Sequence, residues 1–171
     1  MENADKLKDV VKEKYAKIAV QQKKCCCGSE SKAEYSVFNE PYENLDGYIQ
    51  EADLNLGCGL PTEHAGLKEG DSVIDLGCGA GNDCFVARSI VGESGQVTGL
   101  DFTDEMLVKA RQNARKLGYS NVNFVKGDIE NIPVDDHSYD VVISNCVLNL
   151  VPDKDKAFAE IKRILKHGGH F

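Results

Sequence analysis

A short apolar strand that runs directly into a glycine-rich turn constrains the fold of this chain more than any other feature. The strand is predicted over Ser72–Leu76, the turn reads Gly-Cys-Gly-Ala-Gly over 77–81, and a helical pattern follows. Glycine lets the backbone turn tightly into a helix and lets a ligand approach the backbone closely. This order of elements predicts a nucleotide-type binding loop in an α/β fold.

The chain from residue 71 onward alternates between strand and helix patterns. Further strands are predicted over 96–100, 122–125 and 139–144, and helices over 104–118 and 153–166. Such alternation is typical of βαβ units, which build a parallel sheet with helices on both faces. Residues 166–171 resemble a helix end and the first step of another strand. We therefore expect a Rossmann-like α/β sheet that lacks its last strands, with an exposed edge at Val141–Ile143. Such an edge should lead to self-association or to a partly disordered C-terminus.

The N-terminal third has a different character. The first 24 residues predict an amphipathic helix whose lysines lie in solvent and whose apolar stripe packs on the rest of the protein. The stripe consists of Leu7, Val10, Val11, Lys14 or Tyr15, and Ile18. A polar loop with three consecutive cysteines follows, and weak helical structure is predicted near Asn44–Glu51. We divide the chain into residues 1–66, with a helix, a cysteine loop and a lid-like segment, and residues 67–171, the Rossmann-like domain.

Composition narrows the class of protein. The net charge of −8 and the pI near 5.0 argue against a nucleic-acid partner, since binding to phosphates needs the opposite sign. No apolar run approaches the roughly 20 residues of a membrane span, and the charged N-terminus lacks a secretory signal, so we expect a cytoplasmic protein. In a reducing compartment, the seven cysteines favour packing, metal binding or thiol chemistry over disulfides.

The glycine spacing excludes two common nucleotide sites. The dinucleotide fingerprint needs a glycine where this chain has Asn82, and no Lys-Ser or Lys-Thr pair follows for a P-loop. Three carboxylates lie at strand ends instead. Asp75 suits a cationic amino-acid group, Asp101 the ribose hydroxyls, and Asp128 an adenine amino group, although the last two could be helix caps or turn residues. An S-adenosylmethionine site is therefore predicted, formed by Asp75, Gly77, Gly79, Gly81, Asp101 and Asp128.

These residues resemble the class I methyltransferase family over about 70–171. Within that family, Gln96–Met106 and Gly127–Pro133 look like the small-molecule branch that includes the quinone-biosynthesis enzymes. The resemblance implies S-adenosylmethionine as the cofactor. It also implies that the cofactor site includes Phe102, Met106, Ile129 and Asn145.

Two cysteines outside the glycine turn point to the acceptor. Cys58 lies in a glycine-flanked loop, Leu-Gly-Cys-Gly-Leu-Pro over 56–61, and Cys146 follows the fourth strand directly. Thiolates converging from distant segments suit a soft, thiophilic element better than a carbon or oxygen acceptor. Cys84, on a helix face, is instead interpreted as a small buried hydrophobic residue, and we favour the same interpretation for Cys78.

The combination resembles the arsenite methyltransferase family over essentially the whole chain. The motifs that carry the resemblance lie at 14–18 with the following cysteines, 56–61, 75–84 and 144–153. The resemblance implies that Cys58 and Cys146 bind As(III). It also implies that one of Cys25, Cys26 or Cys27 is a relay thiol, which we take to be Cys26. The reductant would be a small-molecule or protein thiol. The family continues beyond residue 171, so we expect a C-terminally truncated chain.

Two other functions remain open. A carbon methyltransferase of quinone or sterol type would share the cofactor site without needing the cysteines at 58 and 146. A non-catalytic protein that captures a metalloid or zinc would need the thiols alone.

Overall fold

The computed structural model describes residues 2–21, 42, 45–54 and 59–171. Cys25, Cys26, Cys27 and Cys58 lie outside the described residues. Five strands form the sheet: β1 (Ser72–Leu76), β2 (Gln96–Asp101), β3 (Val122–Lys126), β4 (Tyr139–Ile143) and β5 (Leu165–His170). The described ranges also contain five α-helices: α1 (Glu2–Gln21), α2 (Pro61–His64), α3 (Asn82–Val91), α4 (Asp104–Leu117) and α5 (Lys154–Ile164).

All five strands are parallel, in the order β3-β2-β1-β4-β5. The central strand β1 is buried on both faces because its successive side chains point to opposite sides. Val73 packs with the helices α3 and α4, and Ile74 packs with α5. This arrangement confirms the predicted Rossmann-like α/β sheet with helices on both faces.

The expectation that the sheet ends at the fourth strand is wrong. Strand β5 pairs with β4, Tyr139 opposite Leu165 and Val141 opposite His170. Val141, Val142 and Ile143 are therefore buried. The sequence pattern indicated only the first step of this strand, because β5 carries two glycines and no fully buried side chain and forms by pairing with β4. Self-association was predicted from an exposed edge at β4, and β5 covers that edge. Self-association itself stays a prediction.

The N-terminal helix is confirmed, but the face it turns inward differs from the predicted stripe. Leu7 and Val10 are 45% and 63% exposed, whereas Val11 and Tyr15 face the body of the protein together with Lys8. The Lys8 ammonium lies 2.6 Å from carboxylate oxygens of both Asp128 and Glu130, so a lysine predicted in solvent is a docking residue. The inward face of α1 therefore includes Lys8 together with Val11 and Tyr15, and leaves Leu7 and Val10 in solvent.

The segment that links the N-terminal layer to the sheet is only partly described. Residues 45–52 form turns, so the weak helix predicted near Asn44–Glu51 is absent over those residues. Within the described part of the chain, no helix is long and apolar enough to cross a membrane.

Candidate cofactor and acceptor site

A cavity lies at the carboxyl ends of β1, β2 and β4, between the sheet and the inward face of α1. This position is expected for parallel sheets, because loops diverge where the strand order reverses, here beside β1. Most residues predicted for the cofactor line it: Gly77, Gly79, Asp101, Phe102, Met106, Asp128, Ile129 and Asn145. Asp75 and Gly81 do not line it.

The glycine turn forms the floor of the cavity. Gly77 has a φ of +80°, and a Cβ there would lie 2.4 Å from a Val147 methyl group, so the turn requires glycine. The Gly77 and Cys78 amides donate to the Leu100 carbonyl over 2.8 and 3.0 Å. Gly81 has a φ of +95° and a Cβ position 2.9 Å from the Phe85 ring, so it shapes the entry into α3 rather than the cavity wall.

Backbone amides fix Asp101 at the end of β2. Gly79 N–H donates to one carboxylate oxygen over 3.0 Å, and Thr103 N–H donates to the other over 2.8 Å. Burial raises the pKa of Asp101, and these N–H donors oppose that shift because they stabilise the charged form. The carboxylate is therefore held rigidly at the predicted ribose position, with lone pairs left to accept further hydrogen bonds.

The structure places Asp83, and not Asp75, on the wall of the cavity. Asp75 is 2% exposed beneath the turn, where it accepts the Cys84 thiol proton over 3.4 Å, and its burial raises its pKa well above the ordinary value. Asp83, in the first turn of α3, lines the cavity instead. Sequence reasoning missed it because an acidic residue at a helix start is usually interpreted as a favourable partner of the helix dipole.

The cavity is strongly acidic. The carboxylates of Asp53, Asp83, Asp101 and Asp128 line it, and Lys8 is the cation among the lining residues. Lys8 contacts Asp128, the residue predicted to accept from an adenine amino group. Opposite charges attract more strongly where water is excluded, so this lining favours a positively charged ligand.

A largely buried hydrogen-bond network joins the Asp83 wall of the cavity to the segment that bears Cys146. The Tyr42 hydroxyl lies 2.8 Å from both Asp83 Oδ1 and the Gly59 carbonyl oxygen. Asn145 Nδ2 donates to Asp83 Oδ2 over 3.2 Å, to Gly59 O over 2.9 Å and to the Tyr42 hydroxyl over 2.8 Å. Nothing in the local sequence around Tyr42 indicated this role, because all three partners are distant in sequence.

The described cysteines fall into two kinds. Cys84 is fully buried, which confirms its packing role, and Cys78 is buried with its pKa raised to about 11 by burial, so both are neutral thiols at pH 7. Cys146 lines the cavity with a φ of +55° and is disulfide-bonded. The predicted approach of Cys58 to Cys146, and the relay role of Cys26, concern residues outside the described ranges and stay predictions.

The fold and the cavity define a Rossmann-like domain with an acidic ligand site at the carboxyl ends of its strands. Residues 67–171 match a protein family described as "Methyltransferase domain". The chain therefore belongs to the methyltransferase-domain family, and its resemblance to class I methyltransferases is confirmed. The predicted division of the chain at residues 66 and 67 is not itself tested by this match.

Particular relatives narrow the resemblance. The chain is 40% identical to the arsenite methyltransferase of Halobacterium salinarum, over 96% of this chain and 46% of the relative. It is 32% identical to the chloroplastic 2-phytyl-1,4-beta-naphthoquinone methyltransferase of Arabidopsis thaliana, over 83% of this chain and 56% of that protein. The solved arsenic(III) S-adenosylmethionine methyltransferase of Chlamydomonas reinhardtii matches with a TM-score of 0.60 at 46% identity, covering 66% of this chain and 40% of the other.

These matches confirm the resemblance to arsenite methyltransferases that the cysteine motifs predicted. The chain spans between 40% and 56% of the length of the three relatives.

Proposed function

We propose that this chain carries the cofactor and acceptor site of a methyltransferase that transfers a methyl group from S-adenosylmethionine to As(III) held by cysteine thiolates. The observation that carries the proposal is Cys146, which lines the cofactor cavity with a φ of +55°. Residues other than glycine rarely adopt this conformation, and strained backbone of this kind clusters at functional sites.

The residues of the cavity fit the predicted cofactor, which the family match supports. S-adenosylmethionine bears a sulfonium and an ammonium group, and the lining carboxylates Asp53 and Asp83 offer the opposite charge. Asp101 is oriented by two backbone amides to accept hydrogen bonds from ribose hydroxyls. Met106 and Ile129 offer apolar surface to an adenine ring.

The cofactor supplies an electrophilic methyl group on a positively charged sulfur. As(III) bound by thiolates keeps a lone pair, which forms the new As–C bond while the C–S bond breaks and its electrons return to the sulfur. No proton is removed from the acceptor in this step, so no general base is required. The task of the chain is to hold the two reactants in line and to exclude water.

Cys146 supplies the soft ligand that this chemistry needs. Because Cys146 is disulfide-bonded, its sulfur has to be reduced before it can bind arsenic. A small-molecule or protein thiol is therefore the partner that the proposal requires. Each free thiol then displaces one hydroxyl group of As(OH)3 and releases one water molecule. By resemblance, Cys58 is the second ligand and Cys26 the relay thiol.

A carbon methyltransferase of quinone type is the second candidate. The similarity to the Arabidopsis enzyme supports it, and so does the apolar part of the cavity wall, formed by Val11, Leu150 and Val151. The capture of zinc or a metalloid without catalysis would need the same thiols but no cofactor, and the match to a methyltransferase domain favours the two catalytic candidates.

One experiment separates these candidates. The reduced protein is incubated with labelled S-adenosylmethionine and either arsenite or a demethylquinol, and the methylated products are identified by mass spectrometry. We expect methylarsenic species from the wild type and none from Cys146→Ser. Methylation of the quinol alone, at equal rates in both proteins, would replace the arsenite proposal by the carbon methyltransferase. Arsenite binding without any methylated product would favour capture alone.

A further inference from the structure

The network around Tyr42 connects segments that are far apart in sequence and that serve the two sides of the site. Tyr42 lies before the glycine turn, Gly59 follows Cys58 in sequence, Asp83 belongs to α3, and Asn145 directly precedes Cys146. Tyr42 is 4% exposed and Asp83 is 9% exposed, whereas Gly59 and Asn145 are partly buried, so the centre of the network is shielded from bulk water.

The Tyr42 hydroxyl is central to this network because it both donates and accepts a hydrogen bond. The Tyr42 hydroxyl supplies one proton and the Asn145 amide supplies two, and together they serve five short contacts. The hydroxyl oxygen also accepts from Asn145 while its proton is directed at Asp83 or Gly59. Buried networks of this kind specify a single arrangement when their members are satisfied, and leaving one member unsatisfied is costly.

The packing of the Tyr42 ring involves other residues than the hydrogen bonds of its hydroxyl. The ring stacks on Tyr48 with a centroid distance of 6.5 Å and belongs to a small cluster with Leu60 and Val86. Tyr42 lines the cavity, and its hydroxyl donates to Asp83 there. A phenylalanine at this position would therefore keep the apolar cluster and lose only the polar connection.

We propose that Tyr42 is a positioning residue for methyl transfer: its hydroxyl holds the Asn145–Cys146 segment and the Gly59 carbonyl in fixed relation to the cofactor wall at Asp83. The acceptor named here rests on the proposed function, whereas the positioning role does not depend on which acceptor is bound. The physical reason is that methyl transfer needs the acceptor atom in line with the methyl group, and a displacement of about 1 Å can cost about 100-fold in rate.

The test compares Tyr42→Phe with Tyr139→Phe. Tyr139 is also buried, and its hydroxyl also donates to a side chain, Thr98 Oγ1, over 3.1 Å. It lies in β4 and does not line the cavity. We expect Tyr42→Phe to lower kcat for arsenite at least about tenfold, with the cofactor Kd changed less than threefold. Tyr139→Phe should leave both constants near those of the wild type, although each variant loses thermal stability.

A second measurement needs no acceptor. Hydrogen exchange followed by mass spectrometry should show faster amide exchange over residues 59–65 and 144–147 in Tyr42→Phe than in Tyr139→Phe. Unchanged exchange together with unchanged kcat would overturn the positioning role. Equal loss of activity in the two variants, in proportion to the folded fraction, would also overturn it. A wild-type protein that does not methylate arsenite would defeat the proposed function, and hydrogen exchange would still decide the role of Tyr42.

Discussion

The two sides of the cavity are built by different kinds of contact. The cofactor side is made of backbone: amides of the glycine turn and of the segment after β2 bind the Leu100 carbonyl and the Asp101 carboxylate. The acceptor side, next to Cys146, is held by side chains from distant segments, namely Tyr42 and Asn145, which meet at Asp83. Backbone contacts follow from the strand–turn–helix sequence itself, whereas side-chain contacts form only after the distant segments have docked. The cofactor side should therefore keep its geometry when residues on the acceptor side are changed.

The largest expected effect separates the two sides completely. In the reduced protein, Cys146→Ser should abolish tight As(III) binding in calorimetry, because a hydroxyl is a poor ligand for a thiophilic element. Its affinity for S-adenosylmethionine should stay within about twofold of wild type, since Asp101 and the glycine turn are untouched. Cys84→Ser is the matched control and should reduce only stability, by about 1–2 kcal/mol. Loss of cofactor binding in Cys146→Ser would show that the two sides are not separable.

The next effect tests the backbone-held side. Asp101→Ala removes the carboxylate that two amides orient, and it should weaken S-adenosylmethionine binding by about 1–3 kcal/mol, since charge-assisted hydrogen bonds to the ribose are lost. Calorimetry with the cofactor measures this loss, and As(III) binding by the same variant is the control and should be retained. An unchanged cofactor affinity would remove Asp101 from the site.

The dependence of binding on pH sharpens the comparison further. Burial raises the pKa of both Asp83 and Asp101, so as pH falls through the raised pKa values these groups become neutral and attract a cationic cofactor less. Affinity should therefore fall with decreasing pH below neutrality, and binding there should release protons. Calorimetry in buffers of different ionisation enthalpy measures that release.

The stability of the protein without ligand should change in the opposite direction. A carboxyl group whose pKa is raised by folding costs stability when it is ionised, so this cost is relieved as pH falls toward the raised values. Thermal unfolding of Asp75→Asn, which removes one such group, should depend less on pH than that of the wild type. An affinity and a stability that fall together with pH would contradict the assignment of raised pKa values.

The smallest effect concerns the docking of α1. Lys8 is 26% exposed and pairs with two carboxylates, so Lys8→Ala should cost less than about 1 kcal/mol of stability, and the difference should shrink at high salt. Lys17→Ala is the matched control, since Lys17 forms an exposed pair with Glu13 on the same helix. Limited proteolysis of α1 should be faster in Lys8→Ala alone. Equal cleavage of both variants would mean that Lys8 does not dock the helix.

Local patterns in the sequence determined most of the sheet and the cofactor side. The alternation of strands and helices, the glycine turn after β1 and the carboxylate at the end of β2 depend on residues close together in the chain, and the structure has all three. Each is fixed by backbone conformation or by burial on two faces, which leave marks in residue type and spacing.

Tertiary structure alone decided the rest. Asp75 points to the α3 face because it alternates with Ile74 in β1, and this leaves Asp83 to face the cavity. Strand β5 forms through pairing with β4, although its own residues lack an apolar pattern. The inward turn of Lys8 depends on a partner 120 residues away, and the Tyr42 network depends on partners 17, 41 and 103 residues away. No local spacing could predict either. A side chain that binds a partner distant in sequence leaves no periodic pattern in the residues around it. Its partner is determined only when the segments dock in the folded protein.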